Sequence, residues 1–295
     1  MQRHFSCRSR PAIAIVAAVL LATTACGGKG GSADSSDAAK SSSLRGPFTV
    51  HLAFRTLSGR CQGKVSGGKP TYVLEAGQGN GSQQLQQVAD VLARSSLVCM
   101  YDRAGFGSSD PASRSPRRVG DLVADLHAVL ARKDLPRPYV LVGQSLGALM
   151  VLLEMQRHPD DVAGVVAMNP GPTFHDWLRR LRPIVTPEEL RTNEIKPLSG
   201  DVPEEPVDVR RSDDLVTKPF PQQTPYTVMF AEDCGAGTDL YCNKVVRELE
   251  ATQRALAKLN PKGGFIKVSG AGHEIYLTDL DRVVAAIKDV AARSN

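Results

Sequence analysis

The amino-acid sequence predicts an α/β domain, in which a mostly parallel central sheet is flanked by helices and carries an inserted cap. From residue 48 onward, short apolar runs rich in β-branched residues alternate with longer segments of helical periodicity. Several of the short runs are apolar almost throughout, as strands buried on both faces are. The chain is 42% hydrophobic and 23% charged, which is typical of a folded globular protein.

The alternation predicts seven strands and five helices. The strands are expected at Phe48–Leu57, Thr71–Ala76, Leu97–Tyr101, Tyr139–Val142, Val162–Met168, Tyr226–Ala231 and Phe265–Val268. The helices are expected at Gln83–Ala93, Val119–Ala131, Leu146–Gln156, Asn243–Leu259 and Leu280–Ala292. In the last of these, five apolar residues between Leu280 and Val290 share one face.

One segment interrupts this alternation after a strand, which indicates a cap inserted at the carboxyl edge of the sheet. The stretch at about 171–225 is rich in proline and charge and contains no strong strand pattern. A disordered loop is the alternative. The sequence Thr186-Pro187-Glu188 favours at least one helix, because it places an N-cap residue before proline at the first helical position. The globular domain itself is expected to span residues 47–295.

The N-terminus has the layout of a secretory signal peptide over residues 1–25. Three arginines precede an apolar run at 11–22, and that run is shorter than the roughly 20 residues needed to cross a bilayer. The small residues before Cys26 resemble a bacterial lipobox, although Thr23 stands where that motif usually has leucine. We therefore expect export and a lipid anchor on Cys26, with cleavage to a soluble secreted protein as the alternative. Residues 26–46, rich in glycine and serine, read as a flexible tether.

The charge distribution argues against nucleic acid as a partner. The net charge of +5 falls when the signal is removed, because the chain from Cys26 onward has 33 Lys and Arg against 31 Asp and Glu. No dense basic run remains to bind a polyanion.

Cysteine content agrees with export, because four cysteines remain besides Cys7 and Cys26. We favour the pairings Cys61–Cys99 and Cys234–Cys242, with reduced core thiols as the alternative. A metal site is not expected, since the cysteines lack paired CxxC spacing and no histidine falls at ligand spacing nearby.

The segment Gly143-Gln144-Ser145-Leu146-Gly147 predicts a nucleophile. It lies between a strand and an apolar helix, where the G-x-S-x-G pattern makes a sharp turn that exposes the serine. The N–H groups at a helix start can also stabilise negative charge on a reacting carbonyl oxygen. The alternative is that Ser145 only caps the helix.

A nucleophilic serine needs a base, and His273 is the best candidate. It lies in the glycine-rich loop after the last predicted strand, beyond Ser145 in the chain. The other histidines fall in predicted helices, on the first strand, in the cap or in the signal.

The acid that orients the imidazole is expected at Asp233, directly after the strand Tyr226–Ala231. Asp176 and Glu232 remain alternatives. For the oxyanion hole, we expect the backbone N–H groups of Leu146 and of Gln78, in the loop after the strand Thr71–Ala76. That glycine-rich loop, together with Asp102 after the next strand, also has a weak similarity to the GxGxxG motif of dinucleotide-binding proteins. Ser82 stands where that motif has its last glycine.

Four segments together resemble the α/β-hydrolase superfamily: Val73–Gly77, Tyr101–Ser109, Tyr139–Gly147 and Gly270–His273. The resemblance covers roughly residues 48–295, apart from the cap. Two departures are Gln144, where histidine often precedes the nucleophile, and a loop after the strand Thr71–Ala76 that lacks the leading histidine of HGxG.

The resemblance implies a serine hydrolase that acts through an acyl-enzyme without a cofactor, and structural roles for Asp102 and Arg103. The expected substrate is a small carboxylic ester. An amidase or peptidase, or a non-catalytic lipoprotein that binds a ligand on this scaffold, are the alternatives. The sequence determines neither the physiological substrate nor the oligomeric state.

Overall fold

A computed structural model provides the structure of the chain and describes residues 44–132, 134–171, 174–188, 202–211, 221–232 and 240–294. The predicted signal peptide, Cys26 and all of the predicted tether except residues 44–46 lie outside these ranges. Asp233 and Cys234 also lie outside them, and the side chain of Cys242 is not described. The predicted Cys234–Cys242 disulfide therefore stays a prediction.

The described residues contain one eight-stranded sheet, in the order β1-β2-β4-β3-β5-β6-β7-β8. The strands are β1 (Gly46–His51), β2 (Thr56–Gly63), β3 (Thr71–Glu75), β4 (Leu97–Tyr101), β5 (Tyr139–Gln144), β6 (Val162–Met168), β7 (Tyr226–Ala231) and β8 (Gly263–Val268). The β1–β2 and β2–β4 pairs are antiparallel and the remaining pairs are parallel. The predicted α/β class is confirmed.

The prediction of a single strand at Phe48–Leu57 is wrong. The chain turns there, with the Leu52 N–H donating to the Arg55 carbonyl over 2.8 Å, and β1 and β2 form a hairpin. The apolar residues in this turn imitate a strand, yet Phe54 is 89% exposed. Because a hydrophobic pattern does not report exposure, it extended the strand through a turn that lacks glycine and proline.

The second strand of the hairpin carries the predicted disulfide between Cys61 and Cys99. These residues face each other across β2 and β4, and their sulfur atoms are 1.99 Å apart. Both residues are buried. The prediction of this pair is confirmed.

Helices cover both faces of the sheet. They are α1 (Gln86–Leu92), preceded by a 3-10 turn at Ser82–Leu85, then α2 (Val119–Leu130), α3 (Leu146–Arg157), α4 (Phe174–Leu181), α5 (Leu240–Leu256), α6 (Ile275–Thr278) and α7 (Leu280–Arg293). Apart from the hairpin, the ends of the predicted strands and helices agree with these bounds to within three residues.

Alternating side chains along the central strands divide the core into two layers. Val73 of β3 packs in the layer formed with α2 and α3, whereas Tyr72 and Leu74 pack with α1 and α7 on the opposite face. The central parallel strands are buried on both faces, which explains their continuous apolar sequences.

In the part of the predicted cap that the structure describes, α4 lies against α5. Trp177, Leu181 and Val185 form a small separate core that includes Val245 and Leu249 of α5. At the predicted helix start, residues 187 and 188 are helical, and the residues that follow lie outside the described ranges. Among the described helices, none combines the length and apolarity needed to cross a membrane.

Candidate active site

Ser145 occupies a strained turn between β5 and α3. Its φ of 53° and ψ of −114° make it one of two non-glycine residues with positive φ in the described chain, the other being Asn169. Its side chain makes no capping hydrogen bond to α3, so helix capping does not explain the serine. Such strain is typical of functional positions.

The two glycines of the motif make this turn possible. A Cβ on Gly143 would lie 2.3 Å from the Gly147 carbonyl oxygen, and one on Gly147 would lie 2.4 Å from the Glu75 carbonyl oxygen. The second contact also shows that the start of α3 lies directly against the end of β3. The loop that contains Gln78 is thereby placed beside the Ser145 turn.

That loop is held from several sides. A Cβ on Gly77 would lie 2.0 Å from the side-chain oxygen of Gln144, and the Gly77 N–H donates to Gln84 over 2.6 Å. The side chain of Gln78 donates to the carbonyl of Glu205 in the cap over 2.8 Å. The predicted oxyanion residues Gln78 and Leu146 therefore lie on two adjoining segments, and their role stays a prediction.

His273 lies near the Ser145 turn, in the loop that follows β8. Its carbonyl accepts from the side chain of Gln144 over 3.4 Å, and its Nδ1 lies 2.7 Å from Nδ2 of Asn169. The Ser145 N–H in turn donates to Met168, the residue before Asn169, over 2.9 Å. The sheet edge thus brings the predicted nucleophile and base into one neighbourhood.

His273 is exposed to solvent in the described structure. Desolvation by the surrounding protein still lowers the pKa of His273 below its ordinary value, with the Glu274 carboxylate acting in the opposite direction. A lowered pKa keeps the imidazole neutral near pH 7, the form in which it can accept a proton.

The two alternatives for the acid are engaged elsewhere. Asp176 pairs with Arg179 and Arg180 along α4, and these two arginines lower its pKa. Glu232 pairs with Lys267 over 2.6 Å. Neither carboxylate contacts His273 in the described structure, while Asp233, the preferred residue, lies outside the described ranges.

Sequence reasoning missed Asn169, which directly follows β6 at the carboxyl edge of the sheet. Gln253 of α5 holds it: the Gln253 Nε2 donates to Oδ1 of Asn169 over 3.1 Å and to the Pro170 carbonyl over 3.0 Å. Gln253 is 2% exposed. An inspection of every polar residue that directly follows a strand would have found Asn169, whereas no local signal marks Gln253.

A buried arginine fixes the other side of the site. Arg103, 1% exposed, donates to Glu75, to the Ala76 and Gly77 carbonyls and to both carboxylate oxygens of Glu205, at distances from 2.6 to 2.8 Å. Burial raises the pKa of Glu75 to about 7, and the Arg103 charge opposes that rise. The expected structural role of Arg103 agrees with these contacts.

Asp102 and Gln84 complete this framework. The Asp102 carboxylate accepts from the Ser82 N–H over 2.8 Å, so it holds the glycine-rich loop and has the structural role that was expected. The Gln84 side chain accepts from the Gly77 N–H and donates to Glu274, the neighbour of His273, over 3.0 Å. Gln84 therefore connects the predicted oxyanion loop, residues 77–81, with the loop that contains His273.

Comparison with known proteins places this geometry in context. The chain is similar to the uncharacterized protein YqjL of Bacillus subtilis (strain 168), with 32% identity over 101 residues. The match covers 34% of this chain and 40% of the relative. The chain is also similar to a pimeloyl-[acyl-carrier protein] methyl ester esterase of Chromobacterium violaceum, with 36% identity over 105 residues. The match covers 36% of this chain and 39% of the relative. These matches span about two fifths of each relative's own length.

The fold has a wider match. The structure of alpha/beta hydrolase domain-containing protein 10 from mouse aligns with a TM-score of 0.61 at 14% identity, covering 85% of this chain and 100% of that one. The family described as serine aminopeptidase, S33, matches residues 69–229, more than half of the chain. With its sheet order and its Ser145 turn, the chain belongs to this family of α/β hydrolases.

Proposed function

We propose that the protein is a serine hydrolase that cleaves carboxylic esters of small acyl substrates through an acyl-enzyme intermediate. The observation that carries the proposal is the strained conformation of Ser145 at the junction of β5 and α3. The Ser145 side chain makes no capping hydrogen bond to α3. A serine held in this way is available to a substrate at the sheet edge.

The proposed chemistry uses His273 as the base and Asp233 as the acid. Ser145 Oγ attacks the carbonyl carbon while His273 Nε2 takes its proton, and the N–H groups of Leu146 and Gln78 bind the oxyanion. The protonated imidazole then gives that proton to the leaving alcohol as the ester bond breaks. Water, deprotonated by the same imidazole, hydrolyses the acyl-enzyme and frees Ser145.

The contact between Asn169 and His273 shows why the mechanism needs an acid beside the imidazole. Because Gln253 donates to Oδ1 of Asn169, the Asn169 amide presents its NH₂ group to His273 Nδ1, and the imidazole proton is then assigned to Nε2. Proton abstraction from Ser145 requires the other tautomer, with the proton on Nδ1 and an acceptor beside it. In the proposed mechanism, the Asp233 carboxylate takes the place of the Asn169 amide at Nδ1 and supplies that acceptor.

Two classes of acyl bond are supported by different observations. The similarity to a methyl ester esterase favours esters, which is our proposal. The description of the family as serine aminopeptidases favours amides as the second candidate. A panel of p-nitrophenyl esters and aminoacyl p-nitroanilides separates them, and a kcat/KM higher on the anilides than on every ester would overturn the ester assignment.

The serine assignment is tested with a fluorophosphonate probe. The wild-type protein should be labelled on Ser145, and Ser145→Ala should lose labelling and at least about a thousand-fold of its kcat on short esters. The matched control is Ser108→Ala at an exposed serine, which should keep both. Labelling absent from the folded wild-type protein would support a binding lipoprotein in place of an enzyme.

The acid is tested with two matched substitutions. Asp233→Asn should lower kcat by roughly four orders of magnitude, because the imidazole is left in the wrong tautomer. Asp176→Asn should change it little, since Asp176 is occupied by Arg179 and Arg180. A large loss only in Asp176→Asn would reverse the assignment.

We further propose that the protein is exported and lipid-anchored through Cys26, on the basis of its N-terminal sequence. Intact-mass analysis of the membrane fraction should find a chain that begins at a lipid-modified Cys26. A chain beginning at an unmodified Cys26 would contradict the anchor and favour a secreted form.

A further inference from the structure

A cluster of two histidines and a glutamate lies between α2 and α3, at the end of α3 remote from Ser145. His127 belongs to α2, Glu154 to α3, and His158 follows the last residue of α3. At a rise of about 1.5 Å per helical residue, Glu154 lies about 13 Å along the helix axis from Ser145. The cluster is therefore separate from the proposed catalytic residues.

The three side chains lie close enough together to share a metal ion. His127 Nδ1 lies 2.8 Å from Oε1 of Glu154, and the rings of His127 and His158 stack with centroids 3.7 Å apart. One nitrogen or oxygen atom of each residue lies within 4.8 Å of the others. Bonds of about 2.0–2.1 Å to tetrahedral Zn²⁺ separate ligand atoms by roughly 3.3 Å. Because an imidazole binds zinc in the plane of its ring, one of the two stacked rings would have to turn out of the stack to bring all three ligand atoms into range.

Glu154 supplies the independent reason to expect a cation. Its side chain is 0% exposed, and its Oε2 has no hydrogen-bond partner among the described residues. His127 contacts only Oε1 of this carboxylate, so Oε2 is left without a partner among the described residues. Burying an unsatisfied carboxylate oxygen is costly, and a bound cation would remove the cost.

We propose that His127, Glu154 and His158 bind Zn²⁺ with a water molecule in the fourth position, and that the ion joins α2 to α3. Two imidazoles and one carboxylate are a donor set that zinc accepts, whereas Ca²⁺ and Mg²⁺ prefer oxygen ligands. His127 is 36% exposed at its side chain, which leaves the site open to water and to an entering ion.

Calorimetric titration of the EDTA-treated and dialysed full chain with ZnCl₂ tests the proposal. One equivalent of Zn²⁺ should bind, and Co²⁺ in its place should give the visible absorption of a tetrahedral complex. Free Zn²⁺ at a hundred-fold excess over Kd should raise Tm by roughly 5–10 °C. Zn²⁺ binding with no Co²⁺ spectrum and no rise in Tm would overturn the site.

Matched variants locate the ion. His158→Asn and His127→Asn should each weaken zinc binding at least about ten-fold, because each removes one of three ligands. His51→Asn, at an exposed histidine outside the cluster, should bind as the wild type does. Equal affinity in His158→Asn and the wild type would place the zinc elsewhere and refute the proposal.

The hydrolase assay distinguishes this proposal from the proposed function. His158→Asn should keep the wild-type kcat on p-nitrophenyl esters, since it lies far from Ser145. That activity also confirms that the variant is folded, so its loss of zinc binding is attributable to the missing ligand. Zinc binding by an inactive Ser145→Ala protein would likewise support the metal site alone.

Discussion

The two sides of the proposed active site are held by different chemistry. On the oxyanion-loop side, the buried Arg103 guanidinium pairs with two buried carboxylates, Glu75 and Glu205, and binds two loop carbonyls. On the histidine side, neutral amides do the holding: Asn169 contacts His273, and Gln253 fixes Asn169.

Charge stabilises the side that has only a structural task, and it would interfere with chemistry on the side that holds the proposed base. A loop built mainly from glycine and polar residues needs strong directional bonds, and a buried guanidinium with five donors provides them. A base that must change its protonation state during turnover is better held by groups that do not titrate. Any orienting charge then acts from one carboxylate, in our proposal Asp233.

Of the substitutions considered for the side held by Arg103, Arg103→Met should destabilise the fold most. Removing the guanidinium leaves Glu75 and Glu205 buried without their cation, and we expect a loss of about 3–5 kcal/mol in the free energy of unfolding, measured in urea. Arg114→Met is the matched control, because Arg114 forms an exposed pair with Asp121 and should cost less than about 1 kcal/mol. Equal losses in both variants would contradict the importance of the buried cluster.

The same cluster predicts a pH dependence of stability. The pKa of Glu75 is raised from 4.5 to about 7 by burial, so the folded state holds a proton that the unfolded state releases at lower pH. The stabilisation is full below about pH 4.5 and is lost as pH rises through 7, by on the order of 1–3 kcal/mol. Glu75→Gln should flatten the unfolding free energy over this window, and an unchanged slope would count against the shift.

On the side held by Asn169 and Gln253, we expect a smaller effect, a shift in the pH profile of kcat/KM. The lowered pKa of His273 should put the acid limb of the wild-type profile below pH 6.5. Asn169→Asp places a carboxylate against Nδ1 and should move that limb upward by about 1–2 pH units. Asn169→Ala is the control for lost packing, and an upward shift of the same size in that variant would contradict the charge effect.

Much of the architecture could be predicted because it depends on local patterns. The buried strands β4, β6 and β7 were predicted to the residue, since strands covered on both faces have continuous apolar sequences between turns. The β1–β2 hairpin was missed because its turn has no glycine or proline and an exposed phenylalanine imitates a strand. Ser145 and His273 were chosen as candidate nucleophile and base from motif and chain order, while Asn169 carries no motif.

The amino-acid sequence was sufficient to predict the α/β class, the sharp serine turn with its two glycines, and the cysteine pair Cys61–Cys99 as the favoured disulfide. Only the tertiary structure decided which side chains meet at the sheet edge and between the helices. Arg103 and Glu205 are 102 residues apart, and His127 and Glu154 are 27 apart. Periodicity is set by neighbours along the chain, whereas these contacts exist because packing fixes the register of distant elements.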